Sequence, residues 1–154
     1  MTKKFNLIEI RVDMGLFDYD VLCVIGNLSE CVKYVADVFE DNSIDDDWSE
    51  EVNRGYEPRG RCYHRAGYVP IIWIPKVPKT AREYATLSHE CMHAVFHLFE
   101  WAAVPIDRST EEVFGHSLAH LVTNIIQEAR QKQRSLRQKP EQKQLTLDSV
   151  IAKP

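Results

Sequence analysis

Residues His89-Glu90-Cys91-Met92-His93 place two imidazoles four positions apart with a carboxylate between them. This pattern constrains the chain because it makes chemical sense only on a helix. There, residues i and i+4 stand one above the other on a single face. Both imidazoles can then reach one metal ion, and the glutamate can touch a water on that ion. Such an ion lowers the pKa of its water to about 7, which supplies a nucleophile at neutral pH. The surrounding residues read as helical. Leu87, Cys91, Ala94, Val95, Leu98 and Trp101 recur at helical spacing and are expected in the core, while Thr86, His89, Glu90, His93 and His97 fall on another side. Thr80, with Pro78 just before it, opens this helix, and it ends before Pro105.

The remaining chain is read around that helix. Phe5 to Val12 alternates apolar and polar residues and is expected to be a strand, and Tyr19 to Ile25 a more buried one ended by Gly26-Asn27. Ser29 is expected to cap a helix through Phe39 whose apolar face carries Val32, Val35, Ala36 and Phe39. The acidic run from Glu40 to Glu51 lacks the glycine and spacing of a calcium loop and is read as solvated. Arg61 to Ala66 and Val69 to Ile74 are expected as two strands around Gly67, with Pro70 and Pro75 demoting the second to a sheet edge. Ser109 opens a last helix with Phe114, Leu118, Leu121, Val122 and Ile125 as its buried stripe. The resulting fold class is α+β: a small mixed or antiparallel sheet, an N-terminal helix, the histidine-bearing helix and a C-terminal helix. Residues 1–130 are expected as one domain, since 154 residues suffice for a single core. Residues 131–154 are expected as a basic, flexible tail.

A catalytic zinc centre takes three protein ligands and leaves the fourth position to water. Eighteen residues separate His93 from Glu112, the candidate third ligand, with Glu111 as the alternative if the loop is one residue tighter. Ser109-x-x-Glu112 is also a capping box, in which Glu112 would serve the helix start instead. With the glutamate at this distance, the chain resembles the gluzincin metallopeptidases, whose downstream helix supplies a glutamate ligand. Gly115, three residues after Glu112, also resembles them and is expected to let the two helices approach closely. The short length and the sequence Thr86-Leu87-Ser88-His89-Glu90-Cys91-Met92-His93-Ala94-Val95 resemble most the small metallopeptidase-like proteins encoded by bacteriophages, over roughly Thr80 to Thr123. The resemblance implies a zincin-like fold, Zn2+ held by His89, His93 and Glu112, and Glu90 as general base in peptide hydrolysis. It further implies that Val69 to Ile74 is the edge strand above the metal helix.

Other polar residues have plainer readings. His116, one turn beyond Glu112, is a candidate to support a ligand or stabilise an oxyanion, a task for which Tyr63 and Tyr68 also compete. His97 is read as a satisfied structural histidine, and His120 as uninvolved. Cys62-Tyr63-His64 is a weak Cys/His metal pair without visible co-ligands. The alternative to an enzyme is a zinc-stabilised accessory or virion protein that grips a host partner without turnover. A net charge of −4 offers no general attraction to nucleic acid, the basic tail aside, and no apolar run approaches the roughly 20 residues of a membrane span. The SprT-like proteases that act near DNA use a third histidine and a downstream His-Gly pair that this chain lacks. The four cysteines form no C-x-x-C pair, which suits reduced thiols and a cytoplasmic location, the host's if the chain is phage-encoded.

Overall fold

The computed structural model describes residues 7–41, 58–65 and 67–151, with backbone alone for residue 16 and from 137 onward. The acidic run beyond residue 41 and Ala66 therefore lie outside the described residues. Among those described, the chain builds β1 (Ile8–Asp13), a 3₁₀ turn (Gly15–Phe17), β2 (Asp20–Ile25), α1 (Leu28–Phe39), β3 (Arg61–Tyr63), β4 (Ile71–Ile74), α2 (Ala81–Trp101) and α3 (Glu111–Ile151). The expected α+β class holds at this level.

The four strands form one mixed sheet in the order β1-β2-β4-β3. β1 and β2 pair antiparallel, β2 and β4 parallel, β4 and β3 antiparallel. Successive strand residues point to opposite faces, and both faces are covered. Ile10, Val12, Val21, Cys23, Ile25, Ile72 and Ile74 meet Leu87, Cys91, Val95, Leu98 and Phe99 of α2 and Leu121 and Ile125 of α3. Leu22, Val24, Ile71 and Trp73 face the other way, toward Cys31, Val32, Val35 and Phe39 of α1. Double coverage explains why β2 and β4 read as unbroken apolar runs.

The expected edge strand is the main correction. β4 is an inner strand, buried at all four residues, and β3 is the edge beside it. The prolines bracket β4 instead of interrupting it, so neither removes a ladder donor. The Pro70 carbonyl even accepts from the Leu22 amide at 2.9 Å.

Two helix starts follow from side-chain chemistry. Asn27, not Ser29, caps α1: its side-chain oxygen accepts from the Ser29 and Glu30 amides. Thr80 caps α2 as expected, and it forms a full capping box with Glu83. Trp101, expected inside, is about half exposed and packs against Tyr19 with ring centroids 4.7 Å apart. α3 continues beyond Arg130 to Ile151, and its packed part is tied to the opposite sheet edge, where the His120 Nε2 lies 3.0 Å from the Asp13 carbonyl. No helix among the described residues is long and apolar enough to cross a membrane.

Candidate metal centre

α2 sets the site. Its buried stripe (Leu87, Cys91, Ala94, Val95 and Leu98) locks the helix against the sheet, and this rotation turns His89 and His93 outward. Their Nε2 atoms converge to 3.1 Å, with ring centroids 4.6 Å apart and planes perpendicular. Two nitrogens on one tetrahedral zinc, each about 2.0–2.1 Å from it, lie about 3.3 Å apart. The pair therefore fits two neighbouring positions on such an ion. Burial lowers the proton affinity of His93, and His89 and His64 lower it further. Neutral imidazole is the form that binds metal.

Glu90 lies between them and is only 8 % exposed. Burial raises its carboxyl above the ordinary value, while His89, the Cys62 backbone amide that bonds to it, and Arg61 pull the other way. That amide belongs to β3, so the edge strand runs directly over the motif. Gly60 makes the approach possible. A Cβ there would stand 2.7 Å from Thr86 Cγ2, closer than real contacts allow, and 3.0 Å from Glu90 Cγ, tight enough that the neighbour would have to shift. Sequence reasoning passed over both Gly60 and the Cys62 amide. The signal was an isolated glycine entering a strand, a mark of close backbone approach.

Glu112 stands elsewhere. It is 86 % exposed, and its carboxylate lies 3.8 Å from the His116 ring, itself 83 % exposed. The reason is rotational: Glu112 is two residues, about 200°, from Phe114 on the helix wheel. Phe114 packs against Phe96 and Phe99 of α2, with centroids 4.9 and 5.4 Å apart, which turns Glu112 and His116 toward solvent. Glu111 is exposed as well. The alternative capping box does not form either, because the Ser109 amide that Glu112 would bond donates to Asp107 at 2.7 Å. At Gly115 a Cβ would meet open space, so close helix packing is not what this glycine provides. Among the described residues, no group of three or more His, Cys, Asp or Glu that could hold an ion is assembled.

The remaining candidates separate by face. Tyr63 and Tyr68 pack on the α1 side of the sheet, away from the histidines of α2. His97 is not the satisfied structural histidine expected. Its Nδ1 is buried without a hydrogen-bond partner, and its ring lies against that of His64, centroids 4.8 Å apart. Cys62 packs against the α2-side core instead of joining His64, and Cys91 is fully buried. What the fold defines is thus a helix-borne histidine pair with a buried carboxylate beneath an edge strand. Comparison with protein families, with curated proteins and with solved structures returns no match.

Proposed function

We propose that this chain is a small zinc metallopeptidase with a minimal zincin-like, gluzincin-type arrangement. The observation that carries the reading is the 3.1 Å convergence of the His89 and His93 Nε2 atoms beside the buried Glu90 carboxylate. His89 and His93 would hold the ion, with Glu112 the third ligand that the resemblance implies. Glu112 would reach the ion only after turning from the exposed face on which it now lies. Zinc, when bound, supplies Lewis acidity to a water and to the scissile carbonyl.

The chain's own residues would do the rest. Burial raises the Glu90 carboxyl above its ordinary value, which favours its taking a proton and returning it to the leaving amine. The Cys62 amide bonds to the Glu90 carboxylate and would help to fix its orientation. β3 is one of the two edge strands among the described residues and the one that runs over the motif, so an extended peptide would add to it as a further strand. His116, on the solvent face of α3, would serve a substrate only if α3's first turn rotated inward. Substrates would be peptides or proteins, with a host or virion protein as the natural target if the chain is phage-encoded.

The test is metal content together with turnover. Purified protein should carry one zinc per chain, and His93→Ala should lose it. Glu90→Gln should keep the metal but lose peptide hydrolysis by about 100-fold or more, the usual scale of a general base. A Glu90→Gln variant with unchanged function would favour the zinc-stabilised, non-catalytic accessory protein instead.

A further inference from the structure

β3 and α2 run in step. Gly60 meets Thr86 and Glu90, the Cys62 amide meets Glu90, and the His64 ring meets His97. Two residues of strand advance about 6.6 Å and four residues of helix about 6.0 Å. The edge strand and the residues flanking it therefore run alongside α2 from about Thr86 to His97. His64 stands against His97, one helical turn beyond His93 and its converging partner His89.

Its backbone is held there. Tyr63 before it is buried on the α1 side, and Arg65 after it donates to the Phe39 carbonyl at 3.0 Å and pairs with Asp41 at 3.1 Å. The ring itself is exposed and leans toward His97. That stack leaves the buried His97 Nδ1 without a hydrogen-bond partner, so it is a resting place and not a closed network. To join the pair, the ring would have to leave this contact by a change of staggered side-chain rotamer.

Resting on the zinc-peptidase reading above but replacing its gluzincin-type third ligand, we propose that His64 takes the place of Glu112, giving a three-histidine centre drawn from α2 and the end of β3. The edge strand would then both orient the Glu90 base and close the coordination sphere. An all-imidazole donor set suits zinc and would also accept copper or nickel.

Zinc per chain, measured by mass spectrometry after zinc loading and gel filtration, tests this on wild type, His64→Ala, Glu112→Ala and His93→Ala. His64→Ala and His93→Ala should emerge without stoichiometric zinc, and Glu112→Ala should keep it. X-ray absorption at the zinc edge of the wild type should count three imidazole rings. Because it reads the unmutated protein, it decides the matter even if a variant misfolds. Two imidazoles with a carboxylate, or zinc retained by His64→Ala, would overturn His64 while leaving the peptidase reading intact. A wild type that takes up no zinc at all would sink that reading itself, and this proposal with it.

Discussion

Glu90 carries the strongest conflict in the molecule, a carboxylate almost removed from water beside a histidine pair. Burial raises its pKa in the folded state. The charged form is thus less favourable folded than unfolded, and the penalty grows as pH rises through the raised value and vanishes below the ordinary glutamate range. In metal-free protein at neutral pH, Glu90→Gln should therefore raise the melting temperature, since the amide oxygen still accepts from Cys62. The gain should shrink as the pH falls and disappear in acid, where both side chains are neutral. Thermal melts of the two metal-free proteins across pH 4 to 8 check this, and an unchanged gap at all pH values would refute it. At this scale the histidine pair was legible because i,i+4 spacing alone determines which side chains meet on a helix. The place of Glu112 was less so. The apolar stripe led by Phe114 already implied that a residue about 200° away faces solvent, but the spacing argument overrode the rotation.

Elements are held by a few specific groups. Glu83 binds three donors at the start of α2: Lys76 Nζ at 2.8 Å, the Lys79 amide at 2.7 Å and the Thr80 amide at 3.0 Å. With the Lys76 bond as the largest influence, its carboxyl is held down to about 2. A depressed carboxyl stabilises the fold above the ordinary glutamate value, about 4.3, and that stabilisation is lost as pH falls through about 2. Glu83→Gln should accordingly flatten the acid limb of the stability curve between those two values, read by circular dichroism during acid titration. Thr80→Ala removes the other half of the box and should cost about 1 kcal/mol at neutral pH, measured by urea denaturation. β3 depends on contact instead of capping. Gly60→Ala would drive a methyl into Thr86 and Glu90, lifting the strand and the Cys62 amide from the carboxylate. It should impair hydrolysis more than it impairs zinc retention by His89 and His93, if the peptidase reading holds. The helix start at Thr80 was legible from the sequence, whereas its capping box with Glu83 emerges only in the structure. The sheet order was not, because the prolines at 70 and 75 carry the same signal whether they interrupt a strand or merely bound it.

At the scale of the whole molecule, the sheet lies between α1 on one face and α2 with α3 on the other. Burial on both sides explains how strands of three to six residues suffice. Phe99 is where the three parts of the larger core meet. It is fully buried, stacks on Phe17 after β1 at 5.2 Å, and touches Phe114 of α3 at 5.4 Å. Phe99→Ala should cost about 3–5 kcal/mol by opening a cavity between those aromatics. The loss should not stay local, because Phe114 is also what sets the rotation of α3's first turn. Freed of Phe99, that turn can roll, and Glu112 with His116 could face either way. Phe99→Ala therefore separates two accounts of the metal centre. If His64 is the third ligand, zinc bound to the folded variant should keep its three-imidazole signature, because β3 and α2 still meet through Gly60 and Cys62. If the rolled turn instead delivers Glu112 to the ion, the same X-ray absorption measurement should show a carboxylate oxygen in place of one ring. Urea denaturation supplies the first half of the prediction, and a cost well under 1 kcal/mol would mean that Phe99 does not join the two helices to the sheet as the packing indicates.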